Sequence, residues 1–205
     1  DQWHPARTAR EGLKPIEANN PYGFEFDWVE DAAAWSEEEM MKYPLVILTK
    51  SNNISSEDQT PWATSDVETA FQRHLHAGNG LLVIHSGIAD YREQRTLRGL
   101  MGGAFASHPD QCPVRVTAKA ENPLGAPADP FTIFDEHYMM DLDDPEADVF
   151  LITSSEHGTQ PGGWTRIEGA VRVCVLTPGH NVEVWLHPAY QNLIQQALAW
   201  CAKLK

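Results

Sequence analysis

The chain has 205 residues, enough to bury a sizeable core in one α/β domain without disulfides or structural metals. Hydrophobic residues make up 42% and charged residues 21%, which excludes a disordered polypeptide. The 29 acidic residues outnumber the 15 basic ones, and the net charge of −14 repels phosphate backbones and anionic lipid, arguing against nucleic-acid and membrane partners.

Helical spacing starts at Thr8 to Leu13, and Phe24 to Val29 reads as a strand. A doubly wound sheet opens with a strand before its first helix, so that strand is expected upstream of Asp1, ending near Asp1–Pro5. Tyr43 to Thr49 is a short apolar run with the character of a buried strand. Ser65 and Asp66 offer a cap to a helix over Val67 to Ala77, closed by Gly78. Gly80 to Ile84 is a second buried strand, completing the strand–helix–strand unit of a parallel sheet. Arg92 to Met101 predicts a short helix, and strands are expected at Val114–Thr117, Val149–Thr153 and Ala170–Leu176. A last helix runs from Pro188 to Lys203, with Lys203 and Lys205 suiting its C-terminus. The expected architecture is α/β, flavodoxin-like and doubly wound, with a mostly parallel sheet and helices on both faces, in one domain spanning residues 1–205.

Cys112, Cys174 and Cys201 form no C-x-x-C pair and no metal-ligand spacing, so they read as reduced, buried thiols of an intracellular protein. No apolar run approaches membrane-spanning length. A cytoplasmic location is expected, with a removed signal ahead of Asp1 left open.

Ligands of open parallel sheets gather at the carboxyl ends of the strands. That rule places His4, Asn52 with Asn53, His85 and His180 on one rim. His85 directly follows a buried strand and precedes Ser86 and Gly87, as in a tight elbow where glycine permits positive φ and close approach of a ligand. A half-buried histidine bonded to a carbonyl would leave the same pattern. His180 sits similarly in Thr177-Pro178-Gly179-His180-Asn181. Asp135-Glu136-His137-Tyr138 is a dense polar cluster that offers a general base or a metal ligand, or else a solvated turn beside Asp141, Asp143, Asp144 and Glu146. Ser107-His108-Pro109 reads as a loop over the rim. His157 reads as solvated, His187 as structural, and His74 and His76 as helix-end residues where a cationic ring is favourable.

Five segments occur in order: Gly80–Gly87, Leu100–Phe105 with Ser107–Pro109, Asp135–Tyr138, Leu176–His180, and His187–Tyr190 followed by a helix containing Ala199-Trp200. Their order and spacing resemble the ThuA-like (trehalose utilisation) family, which shares the class I glutamine amidotransferase-like fold. In that superfamily the elbow carries a cysteine nucleophile activated by a later histidine. Here the elbow residue is His85 and no cysteine lies near, so the resemblance does not extend to glutamine amidotransferase chemistry.

The resemblance implies a sugar or sugar-derived ligand. It leaves open whether the protein is a carbohydrate-active enzyme, be it hydrolase, isomerase or oxidoreductase-associated. His85, Glu136 and His180 are the catalytic candidates. His4, Asn52, Ser86, His108 and Tyr138 are the substrate-binding candidates. His4, His85 and His180 are candidate ligands of a divalent metal such as zinc; metal-free proton transfer by His85, Glu136 and His180 is the competing chemistry. Trp3, Trp62 and Tyr138 are aromatic groups able to stack on a sugar or to fill a core. A non-catalytic carbohydrate-binding or regulatory module is the alternative function, and a partner-binding domain a third. The fold family contains many oligomers, so a homo-oligomer stays open, although no segment identifies an interface.

Overall fold

The computed structural model describes residues 1–125, 129–143 and 147–204, so Asp144, Glu146 and Lys205 lie outside the described residues. The first helix, α1 (Ala6–Ala18), is followed by an extended stretch, a 3-10 turn (Ala32–Ala34) and the short α2 (Glu37–Met40). Strand β1 (Leu45–Leu48), helix α3 (Ser65–His76) and strand β2 (Gly80–Ile84) form the expected strand–helix–strand unit. The N-cap of α3 is Thr64, whose hydroxyl accepts from the Val67 N–H, one residue before the expected cap. A second 3-10 turn (His85–Ile88) leads to α4 (Arg95–Met101), β3 (Gly103–Ser107) and β4 (Cys112–Ala118). Then come β5 (Phe131–Asp135), β6 (Met139–Leu142), β7 (Asp148–Ser155), β8 (Gly158–Glu168) and β9 (Val171–Leu176). The chain closes with α5 (Val182–Trp185) and α6 (Pro188–Cys201).

The fold is α/β with a mixed seven-stranded sheet in the order β1-β2-β9-β8-β7-β4-β5. Parallel pairing is confined to β1–β2 and β2–β9; the other neighbours pair antiparallel. Connection length explains the split. The β7–β8 and β8–β9 links are two residues each, long enough only for hairpins, whereas α3 supplies the crossover a parallel pair needs. Strand β8 has little sequence signature because Pro161, Gly162 and Gly163 occupy its middle. β3 and β6 form a separate two-stranded ribbon.

Helices cover both faces of the parallel half. Leu82 and Ile84 of β2 and Cys174 and Leu176 of β9 pack under α1 and α6. Their neighbours Leu81, Val83, Val173 and Val175 pack under α3 and α4. This is the two-residue alternation of a strand buried on both faces. Every side chain from Leu81 to Ile84 is completely buried, each stabilising by roughly 1.5–3 kcal/mol. The three cysteines are free and buried, as expected.

Phe24–Val29 is not a strand, against expectation; the segment is extended but joins no ladder. Its donors are spent locally: Phe24 N–H on the Asn20 side chain at 2.8 Å and Phe26 N–H on the Glu17 carboxylate at 3.2 Å. Between this segment and β1, an edge strand, lies a cavity of about 410 Å³ lined by Phe26, Trp28, Trp35 and Trp62 together with Asp27, Glu39 and Lys50. His74 is fully buried, and burial pushes its pKa down, so the ring is held neutral rather than cationic as its helix-end position suggests.

Candidate functional site

β2 delivers His85 to the rim. His85 is the turning residue itself, with φ of +48°, a left-handed conformation that a non-glycine residue adopts at a cost and that is common at functional turns. The sequence assigned the positive φ to Gly87, but that residue has another task. A Cβ there would fall 1.9 Å from the Leu48 carbonyl oxygen, so glycine is required for β1 to pass the elbow, not for a ligand to reach it. Ser86 donates its hydroxyl to the Thr49 carbonyl at 2.7 Å and ties the elbow to the end of β1.

β9 delivers the second histidine through the loop Thr177–His180, where nearly every polar backbone group is spoken for. The Thr177 N–H donates to the Gly162 carbonyl at 2.9 Å, and the Thr177 carbonyl accepts from His85 Nδ1 at 2.8 Å. The Pro178 carbonyl accepts from the Tyr190 hydroxyl at 2.7 Å and the Gly179 carbonyl from Trp185 Nε1 at 2.7 Å. The N–H groups of Gly179 and His180 donate to the buried Asp135 carboxylate at 2.8 and 2.9 Å. Gly179 has φ of +144°, and a Cβ on it would lie 3.0 Å from the His85 Cβ. Glycine thus lets the loop close onto the elbow.

His4 and Glu136 complete the group. Glu136 follows the end of β5, and its carboxylate sits between the rings. Its oxygens lie 3.1 Å from His180 Nδ1, 3.4 Å from His85 Nε2 and 3.7 Å from His4 Nε2. One donor atom from each of the four residues falls within 4.8 Å of the other three. His4 Nε2, His85 Nε2, His180 Nδ1 and Glu136 Oε2 are all buried without a hydrogen-bond partner. Leaving a buried polar atom unsatisfied costs about 1–3 kcal/mol, so four on one point is a costly arrangement for the bare protein.

The charge states follow from the surroundings. Burial lowers the His85 pKa, with Glu136 only partly opposing, so the ring is neutral. Its Nδ1 carries the proton donated to Thr177, and Nε2 presents a lone pair to the cluster. Burial raises the Glu136 carboxyl, but His180, His4 and His85 more than offset this and hold it below the usual carboxylate range. Tyr138 stacks on His85 at 4.3 Å between centroids and is kept protonated by burial and then by Glu136.

His108 stands at the mouth, its Nε2 3.6 Å from Glu136 and its side chain 38% exposed. The β3–β6 ribbon carries His108 and Tyr138 at its ends, with Phe105 against Tyr138 at 4.4 Å. Trp3 is largely exposed next to His4.

The structure brings His4, His85, Glu136 and His180 together, with His108 and Tyr138 against them. Asn52 does not join them: its amide accepts from Ala63 N–H at 3.0 Å and donates to the Asp90 carbonyl at 3.2 Å. Trp62 is core, its Nε1 donating to the Tyr91 hydroxyl. His137 turns away from Glu136 towards Ser155 and Thr153, and His187 stacks on Phe131. Sequence reasoning missed Asp1, whose buried carboxylate holds His4 Nδ1 at 2.9 Å, and the part played by Asp135. Asp135 stood inside the recognised polar cluster, but the backbone groups it serves are more than forty residues away. The cavity beside β1 is lined by none of the cluster residues.

Several solved structures share this fold. A ThuA-like protein of Bacteroides uniformis ATCC 8492 superposes with a TM-score of 0.73 at 22% identity, over 98% of this chain and 84% of that one. A ThuA-like protein of Parabacteroides merdae ATCC 43184 gives 0.77 at 17% identity, over 98% and 87%. The β-galactosidase of Rahnella sp. R3 gives 0.69 at 15% identity, over 98% of this chain but 28% of the enzyme. At these identities the likeness is one of fold. No curated protein sequence is significantly similar. No helix among the described residues is long and apolar enough to cross a membrane. The family model for ThuA, described as trehalose utilisation, matches residues 2–201 and thereby spans the cluster from His4 to His180; the chain belongs to the ThuA family.

Proposed function

We propose that this protein is an enzyme acting on a sugar or sugar-derived small molecule, with His4, His85, His180 and Glu136 holding a divalent cation such as zinc. The observation that carries the reading is the convergence of four buried donor atoms without partners. Ligands around a tetrahedral zinc, bonded at 2.0–2.2 Å, stand roughly 3.4 Å apart. Glu136 Oε1 stands 3.1 Å from His180 Nδ1 and Oε2 3.4 and 3.7 Å from His85 and His4 Nε2, near that spacing, and the four ligand atoms lie within 4.8 Å of one another. Three imidazoles and one carboxylate suit zinc and neighbouring transition metals rather than magnesium or calcium.

A bound divalent ion polarises a ligand oxygen. The protein's own groups do the rest. His108 reaches the mouth with its Nδ1 turned to the Pro109 carbonyl at 2.8 Å, leaving Nε2 as the proton acceptor there. Tyr138 backs His85 and is itself backed by Phe105. Exposed Trp3 offers a face to a sugar ring. The family description supports a sugar-like substrate.

A metal-free version is favoured by one contact, the 3.1 Å approach of His180 Nδ1 to Glu136, which suits a proton-sharing pair. Metal analysis of protein purified without chelator, joined to turnover measurements over a panel of sugars and keto-sugars, separates the two. The metal reading predicts one ion per chain, lost with activity in His85→Ala and His180→Ala. Full turnover after exhaustive chelation would reject it in favour of proton transfer. Binding of a sugar without turnover would point to a non-catalytic module.

A further inference from the structure

Each cluster histidine needs something on its far side to fix its direction. The Thr177 carbonyl does this for His85, and Asp135 fixes the backbone of His180. His4 lies two residues ahead of α1, and its Nδ1 meets a side chain instead of a backbone carbonyl. Its orientation rests on one side chain. The Asp1 carboxylate, only 3% exposed, faces His4 Nδ1 at 2.9 Å through Oδ2. Its Oδ1 accepts from the backbone N–H of Trp3 at 2.7 Å and of His4 at 2.8 Å. The Ser51 hydroxyl, just past the end of β1, donates to Oδ2 and ties Asp1 to the rim.

We propose that Asp1 is a positioning residue for the metal centre, acting with Ser51 to make His4 a ligand. The inference rests on the metal reading above. A carboxylate accepting from Nδ1–H does two things. It places the proton on the nitrogen away from the cluster, so Nε2 presents its lone pair, and it makes that lone pair more basic. Asp1 is not itself a member of the ligand set: its oxygens lie on the Nδ1 side of the ring, and the converging atoms come from His4, His85, Glu136 and His180. Ion binding at His4 Nε2 and the Asp1–His4 contact on the opposite side of the ring thereby stabilise each other.

The test is calorimetric titration of zinc into the full chain and its variants, with the visible spectrum of the cobalt(II) form as a second readout. Expected is one site in the wild type, with affinity lowered roughly 10–100-fold in Asp1→Ala and less in Asp1→Asn, which keeps one acceptor. Ser51→Ala should show a smaller loss in the same direction. The cobalt bands should shift in Asp1→Ala, and the rise in melting temperature produced by zinc should be smaller than in the wild type, whatever the substitution costs the metal-free protein. Unchanged affinity and spectrum in Asp1→Ala, alongside weakened binding in His4→Ala, would overturn the positioning role and leave the metal reading standing. Absence of zinc binding by the wild type would overturn both.

Discussion

The Nδ1–H of His85 donates to the carbonyl oxygen of Thr177 at 2.8 Å, joining the end of β2 to the loop after β9. A carbonyl oxygen only accepts, so this contact fixes the tautomer, and burial keeps the ring neutral. Nitrogen-15 spectra of the metal-free protein at pH 7 should show His85 protonated at Nδ1 and bare at Nε2. An imidazolium, or a proton on Nε2, would mean that the ring is not available as a ligand.

Gly179 makes that contact sterically affordable. Gly179→Ala puts a methyl 3.0 Å from the His85 Cβ and 3.2 Å from Trp185 Nε1, in a backbone conformation that side chains rarely adopt. A loss of about 1–3 kcal/mol in urea-unfolding stability is expected, as for overpacked sites, with weakened binding at the cluster. Gly87→Ala should cost at least as much, because its methyl meets the Leu48 backbone rather than a side chain that can rotate. Wild-type stability in either variant would contradict this packing.

Asp135 is buried beside the site and serves the Gly179 and His180 N–H groups. Asp135→Ala strands two buried donors at about 1–3 kcal/mol each. Hydrogen exchange at the amides of residues 179 and 180 should accelerate more than exchange in the β2 strand. Uniform acceleration across the sheet would show that Asp135 supports the whole fold instead of this loop.

His74, in the last turn of α3 and away from the cluster, gives a pH dependence with a definite sign. Its folded pKa is lowered by burial, partly offset by a bond to Gly80. The unfolded chain therefore takes up the proton first, below about 6.5. Unfolding free energy should fall as pH drops from 6.5 towards the lower folded value, and be insensitive to this group above it. His74→Gln should flatten that part of the profile; an unaltered slope would assign it to other groups.

The sequence made the elbow legible because a run of branched apolar residues ended abruptly in His-Ser-Gly. The strand-end rule then gathered His4, His85 and His180 without any knowledge of their contacts. It misjudged Asn52, which follows β1 as expected but spends its amide on Ala63 and Asp90. Strand β8 was invisible, since a glycine- and proline-rich stretch carries no strand preference until neighbours on both sides supply its ladder.

Chain pattern alone determined the α/β class, the parallel unit β1–α3–β2 and the placing of His85 and His180 after strand ends. These are properties of local periodicity and of short-range connection, which a linear string carries. Only the tertiary structure decided that Glu136 and not His137 faces the rings, that Asp1 holds His4, and that four of the six pairings in the large sheet are antiparallel. Glu136 meets His180 and His85 across more than forty residues and Asp1 meets Ser51 across fifty, and no local preference encodes those contacts. The opening contact is of that kind: His85 was readable as an elbow histidine, but its tautomer was set by a carbonyl ninety-two residues away.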